Sequence, residues 1–197
     1  MNLFETYDAD LMRRSIRWTI KTDRGEEERG SGIGVYRDVL SSFWNEFYSG
    51  YCLGDEELVP QIRHDVTRQD WISIVNVFIK GYSDCGYVPA RINKIFLKLC
   101  LYGNEASISD EELLSCFFMF MSKEDSKTIK SAINGEEEDD DNLLDILTSL
   151  GSKRVCYSGE PLKGLMVELA HKEFIQTPAF IKELWEQQFN IHNFSKM

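Results

Sequence analysis

The sequence predicts a predominantly α-helical α+β domain with a few short strands. Past residue 38, apolar residues recur mostly at offsets of three and four, the period of a helix with one buried face. Residues 15–22 alternate with period two, the signature of a strand. Only 13 Gly and 4 Pro interrupt the 197 residues, so long elements can run unbroken. The pattern reads as one domain, 1–197, in three parts: a strand and Gly-rich loop at 13–38, a helical cluster at 39–150, and a small β element with a final helix at 151–197.

In residues 15–22 (SIRWTIKT), Ile16, Trp18 and Ile20 share one face, and Arg17, Thr19 and Lys21 share the other. Residues 23–34 hold charges and four glycines and read as a loop. Gly30, Gly32 and Gly34 precede a helix signal, but G-S-G-I-G-V lacks both a dinucleotide-binding glycine spacing and the Lys-Ser/Thr of a P-loop. A turn is the simpler reading.

The first helix, 38–48, carries Val39, Leu40, Phe43, Trp44 and Phe47 on an aromatic face and ends at Gly50 and Gly54. Residues 69–82 repeat the pattern through Trp71, Ile74, Val75, Phe78 and Ile79, with Gly81 or Gly86 as the stop. Residues 91–101 follow and close at Gly103. Ser109 with Glu112 three positions on is a capping box, opening a helix through Leu113, Cys116, Phe117 and Phe120. Its run Phe117, Phe118, Met119, Phe120, Met121 is either a sticky patch or a helix buried on most sides.

Residues 123–133 form a further helix with Gly135 as its C-terminal cap. The six acids at 136–141 read as a solvated loop, and 142–150 as a short helix. Residues 153–157 and 165–169 read as short strands around the turn S-G-E-P. Thr177 and Pro178 then stand as N-cap and first turn of a last helix over 179–189.

Composition excludes several classes. Aromatics at 12% and hydrophobics at 43% oppose disorder. No apolar run approaches the roughly 20 residues that cross a bilayer. A net charge of −11 opposes general nucleic-acid binding. The five cysteines are at least fifteen positions apart, with no C-x-x-C and no histidine at ligand spacing, so no metal site is expected. Unpaired cysteines and an N-terminus without a signal-peptide pattern suit the cytoplasm or nucleus.

No catalytic constellation emerges. His64 and Asp65 are neighbours that would not face each other on a helix, and His171 stands alone at an element boundary. No G-x-S-x-G occurs, and no cysteine has a nucleophile context. No cofactor is implied. On these residues alone, the chain reads as a binding lobe.

One family shares the order of these features. A strand leads into an acidic loop that ends G-I-G-V-Y-R-D and passes straight into an aromatic helix. This resembles the start of the amino-terminal lobe of HECT-type ubiquitin ligases, where a G-G-x-x-R-E segment opens a helix. Gly32 and Gly34 take the glycine role, Arg37 the arginine and Asp38 the acid, with Ile33 separating the glycines. The segment from Asp70 to Gly103 resembles the family's buried helix, turn and next helix. S-D-E-E-L-L at 109–114 and P-L-K-G-L-M-V-E-L-A-H-K-E-F-I at 161–175 extend the resemblance over residues 13–190. It is nearest to divergent HECT-like regions of multi-copy, partly mobile-element-associated genes.

The resemblance implies a scaffold lobe that docks a ubiquitin-conjugating enzyme through late helices, around Phe174, Phe180, Ile181 and Leu184, although the same residues read more simply as core. It also implies that the thioester cysteine lies outside this chain, because the family's Thr-Cys pair is absent. Two other readings stay open: a non-catalytic interaction module with an acidic helical surface for a basic partner, and an enzyme acting on a small molecule at an unrecognised site.

Overall fold

The computed structural model describes residues 20–21, 27–28, 33–136 and 140–194. The expected strand therefore falls largely outside the described residues, as do Gly30, Gly32 and the acids at 137–139. The element order is β1 (Ile20–Lys21), β2 (Glu27–Glu28), α1 (Ile33–Tyr51), β3 (Cys52–Leu53), β4 (Val59–Pro60), α2 (Arg68–Cys85), α3 (Lys94–Tyr102), a 3₁₀ turn (Gly103–Glu105), α4 (Asp110–Phe120), α5 (Lys123–Ile133), α6 (Asp140–Ser149), α7 (Gly159–His171), a π turn (Lys172–Gln176) and α8 (Ala179–Ile191). The fold is predominantly helical with two short antiparallel ladders, β1–β2 and β3–β4. The first pairs Ile20 with Glu28 and Lys21 with Glu27; the second pairs Cys52 with Pro60 and Leu53 with Val59. Among the described residues, no helix is long and apolar enough to cross a membrane.

The chain forms two compact units. The first comprises Met1–Tyr51, Arg63–Ala90 and Leu184–Met197, and the second Cys52–Ile62 and Arg91–Glu183.

The first unit is built on aromatic packing. Tyr36, Leu40, Trp44, Phe47 and Tyr48 are the buried side of α1, at the three- and four-residue spacing that makes one stripe. Trp44 meets Phe78 edge-on at 6.1 Å, and Phe47 meets Trp71 at 6.2 Å. Phe189 meets Phe78 at 5.6 Å, closing the cluster from α8. Gly81 lets α2 approach α1, since a Cβ there would stand 3.0 Å from Leu40 Cδ1. The stop of α2 is Gly86 rather than Gly81, because Gly86 takes the left-handed conformation (φ 65°) that ends a helix. Thr67 and Asp70 open α2 with a reciprocal capping box.

The second unit packs α4 through α7 around Phe117, Ile129, Leu143, Leu147, Leu162, Met166 and Phe174. The capping box at Ser109 and Glu112 opens α4 as expected. Helix α3 starts at Lys94, not at residue 91. The N–H of Leu58 donates to Arg91 O and that of Asn93 to Leu58 O, both at 2.8 Å, which holds this stretch extended until Asn93 caps the helix.

The β element expected within 151–197 is replaced by helix. Residues 153–157 form no strand, and 165–169 lie inside α7. The reason is periodicity: Leu162, Leu165, Met166, Leu169 and Ala170 are all buried, at offsets of three, four, seven and eight. Pro161 sits in the first turn of α7, where its missing N–H is not needed. Thr177 is likewise not an N-cap. Its φ of −59° and ψ of −49° are helical, and its N–H reaches back to Lys172 O at 2.8 Å, an i to i−5 bond. The widened turn relieves the clash that the Pro178 ring would make with the carbonyl four residues before it, so the chain stays helical through the proline.

Candidate functional site

The open feature of the second unit is a groove of about 800 Å³ between α4 and α5, with the β3–β4 loop at one side. Its shape begins with Gly54. That residue has φ 121°, and a Cβ there would collide with Glu57 O and the Phe120 ring. A loop that turns this tightly places its amides against the end of α4: Asp55 and Glu56 donate to Phe120 O and Met119 O, each at 2.9 Å. Arg91 donates to Asp55 O from the other side. Asp55, Glu56 and Glu111 thus make an acidic wall.

Met121 then runs extended (φ −73°, ψ 163°), and Ser122 caps α5 by accepting from Asp125 N at 3.1 Å. The cap sets Lys123, Lys127 and Lys130 along the groove as a basic wall. Lys123 bridges to Glu56 at 3.0 Å, and that hydrogen bond raises its pKa. Lys130 lies over the Phe118 ring at 4.6 Å. The floor is Leu114, Phe118, Met119 and Met121. The result is an apolar trough bordered by charges of both signs. Met119 and Met121 give it a surface that can adapt to different shapes.

Behind the groove lies a buried polar node. Glu57 is 5% exposed and accepts from Asn93 Nδ2 at 2.8 Å, with Lys94 Nζ at 3.4 Å. Asn93 is itself fully buried and caps α3, so one carboxylate ties the β3–β4 loop to the start of that helix. Burial, reinforced by Glu57, pushes the Cys116 thiol up to about 12. Burial does the same at Cys52, also to about 12, against an opposing pull from Arg91. Both thiols therefore stay protonated, and a protonated thiol is a poor nucleophile. All five cysteines are free, and Cys100 and Cys116 are buried. Among the described residues, no three His, Cys, Asp or Glu side chains converge in a way that could hold a metal.

Of the motif residues singled out by resemblance, Gly34, Arg37 and Asp38 share the first turns of α1. Gly32 lies outside the described residues. Gly34 is in the first turn of α1 rather than in a loop, and a Cβ there would meet nothing within 4 Å. No close approach requires a glycine at that position. Arg37 donates through Nη2 to Cys85 O at 2.6 Å, tying α1 to the end of α2. Asp38 is exposed on α1.

Of the proposed docking residues, Phe174 and Ile181 are fully buried and Leu184 is 4% exposed. Only Phe180, at 43%, reaches solvent. The late-helix surface is thus mostly core, because those side chains fall on the inward stripe of their helices. The groove's signal in the sequence is the run 117–120: four consecutive apolar residues on a helix of 3.6-residue period cannot all point inward. Phe117 is buried, and Phe118, Met119 and Phe120 are only partly so. Compared with known protein families, curated proteins and solved structures, the chain matches none.

Proposed function

We propose that the chain is a HECT-like scaffold lobe that docks a ubiquitin-conjugating enzyme and does not itself carry the thioester step. The order of motifs along the sequence supports the family reading. The observation that carries the docking is the groove between α4 and α5, a concavity of about 800 Å³ with an apolar floor and charges of both signs around it. That arrangement favours a partner loop with an apolar anchor flanked by charges of both signs. Burial keeps the Cys52 and Cys116 thiols protonated, so neither offers the accessible thiolate that transthiolation needs.

Titration calorimetry against a panel of conjugating enzymes tests the docking. Binding by at least one enzyme is expected, weakened about tenfold by Phe118→Ser, and by Lys127→Glu at unchanged melting temperature. Lys127 is exposed, so its variant separates binding from folding. No binding across the panel, or binding indifferent to both substitutions, overturns the proposal. Incubation with a ubiquitin-charged conjugating enzyme should leave no reducible ubiquitin adduct on the chain.

A further inference from the structure

A second concavity, of about 410 Å³, lies wholly within the first unit. Its walls are aromatic. Phe43, Phe47 and Tyr51 stand at four-residue intervals on the last turns of α1, with Phe47 and Tyr51 stacked at 5.8 Å and 12°. Its polar lining is entirely acidic: Glu46, Asp65 and Asp70. Aromatic faces carry negative potential, so rings and carboxylates together select a cation.

The rim already holds one. Arg63 lies over the Tyr51 ring at 5.4 Å and donates to both carboxylate oxygens of Asp65, at 2.8 and 2.7 Å. Its third contact, to Gly50 O at 2.7 Å, fixes it to the end of α1. The guanidinium holds the Asp65 carboxyl down at about 2, so Asp65 is ionised at any ordinary pH. Two carboxylates remain for a second cation. Glu46 makes no side-chain hydrogen bond or ion pair among the described residues. Asp70 spends only Oδ2 on its capping box with Thr67, at 2.8 Å to N and 2.7 Å to Oγ1.

We propose that this pocket takes a lysine or arginine side chain of a protein partner, seated against the half-buried Phe43 ring and paired with Glu46 and Asp70. The proposal is independent of the conjugating-enzyme reading, which concerns the second unit. It follows from charge complementarity and from the guanidinium that the same rim binds through the same two kinds of group.

Two-dimensional amide NMR of the full chain, titrated with N-acetyl-arginine amide and N-acetyl-lysine amide, tests it. The expected result is saturable shifts at residues 43–51 and 65–74, absent with N-acetyl-glutamine amide. Glu46→Gln should weaken the binding about fivefold, since one exposed ion pair or cation–π contact is worth about 1 kcal/mol. Glu46 is exposed on α1, so its neutral isostere leaves the fold intact. Glu105→Gln, which removes one charge outside the pocket, should change nothing. Shifts that follow acidic residues generally, that appear equally with the glutamine compound, or that respond alike to both substitutions overturn the proposal.

Discussion

Gly54 shows how much one residue fixes. Its φ of 121° and the closeness of Glu57 O and Phe120 leave no room for a side chain. Gly54→Ala should cost about 2–4 kcal/mol, read as a lower urea midpoint, because strain and overpacking add. The buried thiols make a second statement at this scale. Cys52 and Cys116 are raised from 9.0 to about 12, and burial, aided by Asp84, raises the Tyr36 phenol as well. In the folded state these groups keep protons that the unfolded chain has released. Stability from this source is therefore whole below about pH 9 and falls as pH climbs from about 9 to about 12. Urea midpoints measured across that interval should decline, less steeply in Cys116→Ala. Native Cys116 should resist alkylation at pH 8 and react once the protein is unfolded.

Among elements, the start of α4 is the most legible. Ser109 and Glu112 announced α4, and the structure contains their reciprocal bonds at 3.2 and 3.1 Å. Ser109→Ala should cost about 1 kcal/mol, measurable by thermal unfolding, because an orphan N–H returns to the first turn. The equivalent box at Thr67 and Asp70 uses the same chemistry with a shorter acid in place of Glu or Gln, which hid it from a search for S-x-x-E. Boundaries set by distant partners were not legible. Residues 91–93 look helical in isolation and are held extended by Leu58, more than thirty positions away. At 165–169 a short apolar run resembles a strand in isolation, whereas the longer span from Leu162 shows the helical period. Pro178 suggested a helix start, and only the widened turn before it lets the backbone continue.

At the scale of the molecule, the helical class followed from periodicity, but the assembly did not. Trp44, Phe47 and Trp71 are conspicuous in sequence, yet nothing local says that Trp185 and Phe189 complete their cluster. Nor does a net charge of −11 reveal that some acids form a wall, a buried node or a pocket. The candidate surfaces were readable as ingredients, the 117–121 run and the aromatic face of α1, but not as concavities, since a concavity needs a second wall from elsewhere in the chain. A chain ended after Glu183 lacks Trp185 and Phe189. Its emission from Trp44 and Trp71 should shift to longer wavelength as Phe47 and Phe78 lose their cover.

The division of the first unit into three stretches also has a consequence during synthesis. Every residue of the second unit has been made by Glu183, whereas Phe47 must wait for Trp185, 138 residues later. At about 5–20 residues per second, that wait is roughly 7–28 s on the ribosome. Through that interval an aromatic helix stands without its last partners. The nascent chain is then a natural client for chaperones that shelter exposed rings, and its yield should depend on them more than its final stability does.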